Sequence, residues 1–229
     1  MPTLVLLAGP NGAGKTTFIG HFLRRRAETF VFVNPDEVAR DLPGVGPERD
    51  LAAGRRVLER LDALIDARAD IVLETTLATR SHARRLRACR AAGYRIALTY
   101  LRLPDAEASI ARVRRRVERG GHGIPEATLR RRFPLSLDYL ETVYKPLVDE
   151  WEVWASGDEG PELLDWGPKM STIFDRETTL KALLDAAWIA KHGTREEQSG
   201  RFLPPPGWKG RVVTATDDGL SEPKTGKAA

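Results

Sequence analysis

The sequence has a single cysteine, Cys89. One thiol can neither form an internal disulfide nor build a cysteine-based zinc site, and such a chain fits a reducing compartment. Its neighbours Arg87, Ala88, Arg90 and Ala91 read as helix, so a buried structural thiol is expected rather than a nucleophile. Long hydrophobic runs are also missing. None approaches the roughly 20 residues of a membrane span. The apolar start, Leu4 to Ala8, is too short for a signal peptide and runs straight into a glycine-rich loop. The expectation is a cytoplasmic protein without membrane contact. No Asn-Lys-x-Asp stretch is present to select guanine, which argues against a GTPase, and no internal repeat is found. An excess of one charge is nearly absent as well: 36 basic residues face 32 acidic ones, for a net charge of +4 and a pI of about 9.4. That mild excess suits a protein that grips phosphorylated ligands as well as one that binds nucleic acid.

What is present is ample for a core. The 229 residues are 41% hydrophobic and 30% charged, the mark of a globular domain with or without a tail. Short apolar segments at 4–8, 30–33, 71–74, 95–103 and 151–154 read as strands, with a sixth, short edge strand at 162–166. Helical patterns lie between them, including Leu51, Val57, Leu58, Leu61, Leu64 and Ile65 within 48–68. Strands alternating with helices predict an α/β three-layer sandwich, a mostly parallel sheet with helices on both faces. Residues 178–191 carry one more amphipathic helix pattern. From about Gly193 the composition turns to Gly, Pro, Lys, Asp and Ser, which predicts a domain over 1–192 and a disordered tail over 193–229.

The most informative motif follows the first strand. Gly9-Pro10-Asn11-Gly12-Ala13-Gly14-Lys15-Thr16, with Thr17 beyond, stands between a strand and a helix. This is the setting of a P-loop, and the fold expectation becomes a P-loop NTPase. Glycines let backbone N–H groups converge on phosphate oxygens, and the helix N-terminus adds partial positive charge. Lys15 would reach the β and γ phosphates and the Thr16 hydroxyl would ligate magnesium, so ATP and Mg²⁺ are the expected cofactors.

Two carboxylates should share that sheet edge. The second strand closes on Asn34-Pro35-Asp36 and the third on Glu74-Thr75-Thr76. A kinase needs a carboxylate to orient and deprotonate the attacking hydroxyl. Asp36 is the candidate, though it could equally cap a helix, and Glu74 could instead lie hydrated near the magnesium. Arginines gather farther along. Arg112, Arg116 and Arg119 share a helix face apart from an apolar stripe of Ile110, Val113 and Val117, and Arg130, Arg131 and Arg132 follow Gly120-Gly121-His122-Gly123-Ile124-Pro125. Two arginine-rich helices about such a hinge predict a lid over residues 105–135 that stabilises charge on the transferring phosphoryl group. A solvated basic face is the alternative, foremost for Arg114 and Arg115. His122 has no accompanying ligand set and reads as a lid or hinge residue.

The order of these four blocks resembles the zeta-toxin family of P-loop kinases over residues 2–155. The resemblance implies an ATP-dependent kinase that phosphorylates a sugar hydroxyl of a UDP-N-acetylglucosamine-type nucleotide sugar and is restrained by an antitoxin. It implies Asp36 as general base, with Lys15, Arg116 and Arg131 beside it in catalysis and Arg112 on the nucleotide. Asn34, Glu74, Thr76, Arg80 and His122 then fall on the acceptor side. Family members often carry Asn-Ser after the last strand, where this chain has Ala155-Ser156. Two other functions compete: a nucleic-acid end kinase or RNA-directed ATPase, and a regulatory P-loop switch. Against nucleic acid, the arginines concentrate in one short lid and no aromatic-rich basic strand offers a stacking platform.

Overall fold

The computed structural model describes residues 1–18, 30–35, 38, 42–43, 47–157 and 160–167, with short strand segments at 194–195, 202–203, 214–216 and 219–221. Strand β1, Thr3–Ala8, sets the architecture. Leu4, Leu6 and Ala8 pack into one apolar cluster while Val5 and Leu7 pack into another, and all five are at most 1% exposed. A strand covered on both faces belongs at the centre of a three-layer sandwich.

The other strands assemble around it. β2 (Phe30–Val33), β3 (Asp70–Thr75), β4 (Arg95–Arg102), β5 (Glu150–Gly157) and β6 (Gly160–Gly167) form one sheet in the order β2-β3-β1-β4-β5-β6. The first five are parallel and β6 turns back antiparallel at the edge. This is the expected P-loop NTPase fold. Helix α1, Pro47–Asp66, lays Val57 and Leu61 on the first cluster, and α2, Ala83–Ala91, adds Leu86 and Cys89. Leu51 departs from the expected stripe and is 63% exposed. Cys89 is fully buried, and burial pushes its thiol up to about 11, so it is the structural residue expected. The opposite face is covered by the first helical turn after the glycine loop, residues 15–18, through Phe18, and by Phe133.

The lid region is two helices, α3 (Ala106–Glu118) and α4 (Glu126–Tyr139). Asp105 caps α3 by accepting from Ala108 N–H at 2.7 Å. Ile110, Val113 and Leu129 make a small core between the two, with Ile124 packed on it, whereas Val117 is 45% exposed. Ion pairs brace the pair from outside: Arg114 with Glu126, and Arg130 with both Glu107 and Glu126. Hydrogen bonds from Arg130 and then Arg114 hold the Glu126 carboxyl below its ordinary range. The chain leaves α4 through a π-helical turn at Leu140–Tyr144 and a 3₁₀ turn at Lys145–Leu147. Near the C-terminus, 194–195 pairs with 202–203 and 214–216 with 219–221, two antiparallel couples separate from the main sheet among the described residues. The helix expected over 178–191 lies outside the described residues.

Candidate functional site

Strand register brings the site together. Leu7 stands beside Glu74, Val33 beside Leu73, and Ala8 beside Tyr100, so the ends of β1, β2, β3 and β4 meet at one edge. The glycine loop leaves β1 there. Gly9 has φ +143°, and a Cβ on it would stand 2.3 Å from the Leu101 carbonyl oxygen on β4. No other residue fits so close to a neighbouring backbone. The loop closes with Ala13 N–H donating to Pro10 O at 3.2 Å and Phe18 N–H to Gly14 O at 2.9 Å. The first three residues of the following helix are Lys15, Thr16 and Thr17, so a helix N-terminus with its partial positive charge stands at the end of the loop.

Lys15 is 6% exposed and donates to Gly9 O at 2.9 Å and Pro10 O at 3.1 Å, with its Nζ 4.0 Å from Glu74. The exposed Thr16 hydroxyl donates to Glu74 at 3.1 and 3.3 Å from its two oxygens. Asn34, also buried, offers its Nδ2 to Glu74 at 3.5 Å. Glu74 is itself 7% exposed. Its carboxylate thus joins the lysine, the threonine and the asparagine at one point. A hard oxygen pair, hydroxyl plus carboxylate, facing the phosphate position fits a magnesium ion that keeps several waters. The turn after β3 is tight: Leu77 takes φ +54°, a left-handed value that is rare for a leucine, and its N–H donates to Thr75 Oγ1.

The lid helix α3 sits directly against the loop. Ser109 Oγ donates to Asn11 O at 2.7 Å. Arg112 Nη1 donates to Ser156 Oγ at 3.1 Å, and Ser156 Oγ donates onward to Ala13 O at 3.0 Å. Arg116, one turn beyond Arg112, is a half-buried arginine whose Nε and Nη2 are enclosed and without a hydrogen-bond partner. Enclosed guanidinium donors without an acceptor are costly, and an anion arriving there removes the cost.

The remaining predicted residues scatter. Arg131 and His122 are exposed, and among the described residues no hydrogen bond joins either to the loop. Arg80 is exposed and stacks over the Tyr139 ring at 4.9 Å. Thr76 accepts from Ser136 through its carbonyl at 2.6 Å, and Tyr100 shares a 2.8 Å bond with the Ser136 hydroxyl. Asp36 lies outside the described residues. Just beyond Asn34, whose carbonyl accepts from Val38 N–H at 3.2 Å, a cleft of about 370 Å³ is lined by Val38, Leu42, Arg56, Glu59 and Arg60. Sequence reasoning did not single out Ser109, Arg56 or Arg60. A serine inside a helix has no signature, and the two arginines on α1 announce themselves only as an i, i+4 pair.

Comparison with known proteins agrees with this geometry. The sequence profile of an AAA domain family matches residues 4–132, more than half the chain. The chain belongs to this AAA domain family. The matched stretch holds the loop, Glu74 and the lid arginines of this AAA domain protein. The chain is 26% identical over 130 residues to an uncharacterized protein of Haemophilus influenzae, a match covering 56% of this chain and 91% of that one. Among solved structures it is similar in fold to one from the PezAT chromosomal toxin–antitoxin system of Streptococcus pneumoniae, at 17% identity and a TM-score of 0.52, over 80% of this chain and 78% of that one. It is also similar in fold to the AvrRxo1-ORF1:-ORF2 complex with ATP, at 18% identity and a TM-score of 0.55, over 72% of this chain and 58% of that one. Among the described residues no helix is long and apolar enough to cross a membrane, and no group of three or more His, Cys, Asp or Glu is placed to hold a metal.

Proposed function

We propose that this AAA domain protein is an ATP-dependent kinase that transfers the γ-phosphate to a sugar hydroxyl of a nucleotide sugar. The observation that carries the reading is the convergence of Lys15, Thr16 and Asn34 on the buried Glu74, with Arg112 of the lid helix beside the same loop and the enclosed Arg116 one turn further along that helix. In this reading Lys15 exchanges its loop carbonyls for phosphate oxygens. The loop N–H groups hold the β-phosphate, and Arg112 and Arg116 meet the charge that develops on the transferring group. Magnesium held through Thr16, with Glu74 behind it, would neutralise charge shared between the phosphates. We assign Glu74 to this metal corner, since its oxygens already accept from Thr16, and keep Asp36 as the general base and Asn34 on the acceptor side.

The cleft past Asn34 supports an anionic acceptor. Arg56 and Arg60 stand one helical turn apart on its wall, a spacing that suits a diphosphate. A diphosphate on the acceptor would satisfy these two arginines. Restraint by an antitoxin belongs to the same reading. It draws on the zeta-toxin resemblance and on the toxin–antitoxin system that contains a fold neighbour. The test is direct: incubate the protein with γ-labelled ATP, magnesium and a panel of nucleotide sugars and of 5′-hydroxyl oligonucleotides. Label in a sugar nucleotide is the expected result. Label in the oligonucleotides alone would replace this reading with a nucleic-acid end kinase.

A further inference from the structure

The carbonyls of the phosphate loop are held by two kinds of donor, and the difference has a mechanistic consequence. Gly9 O and Pro10 O accept from Lys15. If Lys15 turns to phosphate, those bonds are given up. Asn11 O and Ala13 O accept from hydroxyls that have no such alternative task, Ser109 on α3 and Ser156 at the end of β5. A phosphate loop works only while its N–H groups face inward, so its carbonyls must face outward and be satisfied there. The two serines do this from outside the strand–loop–helix unit, one from each neighbouring element.

The same contacts fix the lid helix. Ser109, Arg112 and Arg116 follow at i, i+3 and i+7 along one face of α3. Ser109 is 1% exposed. Ser156 both accepts from Arg112 and donates to the loop, so the arginine, the serine and the Ala13 carbonyl form one chain. The approach is close: a Cβ on Gly12 would stand 3.0 Å from Arg112 Cβ and 3.2 Å from Ser109 O. The base of the lid is therefore fastened to the loop, and Arg112 is held at a set distance from it.

Resting on the kinase reading above, we propose that Ser109 and Ser156 are positioning residues that lock the lid helix to the phosphate loop and thereby place Arg112 and Arg116 for phosphoryl transfer. They touch no phosphate themselves. Their effect passes through loop shape and through the arginines, so it falls on the chemical step more than on nucleotide affinity.

The experiment uses the full chain and magnesium-ATP. Ser109→Ala, Ser156→Ala and the double variant are compared with wild type for ATP affinity by calorimetry, for kcat and KM of ADP release, and for Tm. Each alanine is expected to lower kcat about tenfold, the scale of a small misplacement of a catalytic group, with ATP affinity within about threefold of wild type. Ser156→Ala should cost little further in an Arg112→Ala background, because the two act in one chain. Ser156→Thr keeps the hydroxyl and should turn over near the wild-type rate, so the Ser156 pair keeps the test decisive even where Ser109→Ala fails to fold. If wild type binds and turns over ATP while every variant stays within twofold of it, the positioning role is overturned and the kinase reading stands. Losses of kcat and affinity that move together with Tm, or a threonine that fails to rescue, overturn it too. A wild type that binds no ATP overturns both.

Discussion

Lys15 is the only side-chain cation within residues 9–16, and the loop folds around it. Lys15→Ala is expected to reduce turnover by about 10²- to 10³-fold, the effect of removing one preorganised charge donor, with a small change in Tm; near-normal ADP release would end the phosphate-loop assignment. Asp36→Asn tests the acceptor side. Asparagine keeps the size and the capping capacity of aspartate but loses the charge. ATP affinity should hold while transfer falls about 10²- to 10⁴-fold, the usual worth of a general base; affinity that falls with activity and depends on magnesium concentration would mark Asp36 as a metal ligand instead. His82 offers a pH test. It is buried, its Nδ1 has no partner, and burial, then the nearby Arg85, lower its pKa to about 4. The unfolded chain takes a proton near pH 6.5 that the native fold refuses, so stability is full above that pH and falls as pH drops toward 4, by about 1.4 kcal/mol per pH unit. His82→Gln should flatten this limb in a plot of Tm against pH. A curve unchanged by the substitution would show that other groups set the acid limb. The glycine loop, Lys15 and Thr16 were legible because a phosphate site needs those residue types in unbroken order. His82 was not, since nothing in its neighbours marks a histidine as buried.

At the scale of elements, the lid helices show how spacing sorts arginines. Arg112 lies on the face of α3 toward the loop and Arg116 is enclosed one turn further on, whereas Arg114 faces Glu126. Heptad-like spacing in the sequence separates these two groups without a structure. Arg130 is different. It reads as one of three lid arginines, yet its partners Glu107 and Glu126 come from both helices, and only their packing brings the carboxylates together. The glycine hinge also has a sharper task than its sequence suggests. Gly120 and Gly121 end α3, with Gly120 N–H on Val117 O and Gly121 N–H on Arg116 O. A Cβ on Gly121 would stand 2.5 Å from Arg116 Cγ and 2.8 Å from Arg116 O, so the glycine makes room for that side chain. Gly121→Ala should therefore displace Arg116 and lower kcat by about 10- to 100-fold, approaching the effect of Arg116→Ala. Arg114→Ala should change kcat less than twofold, its exposed ion pair contributing little. Steady-state kinetics on the three variants checks both statements, and equal small effects would return the lid arginines to a solvated face.

For the whole molecule, the composition change at Gly193 predicts that the catalytic unit ends near it. A chain truncated after Gly193 is expected to keep its ATP affinity and a Tm within about 2 °C of the full chain; a larger drop in a thermal melt would show that the C-terminal residues pack on the domain. The sheet itself was legible. Five parallel strands alternate with helices, each strand carries an apolar run, and the edge strand β6 pairs antiparallel with β5. Such patterns are local, since the covalent chain fixes their periods of 2 and 3.6. The sequence by itself thus determined the α/β class, the glycine loop after β1 and the edge of the sheet at which that loop lies. Tertiary structure decided what stands around that loop. Thr16 and Glu74 are 58 residues apart, Ser109 and Asn11 98 apart, and Ser156 and Ala13 143 apart. A hydroxyl or carboxylate carries no pattern that names its distant partner. Strand order and helix packing choose that partner, because only they bring remote segments within the 3 Å that a hydrogen bond requires.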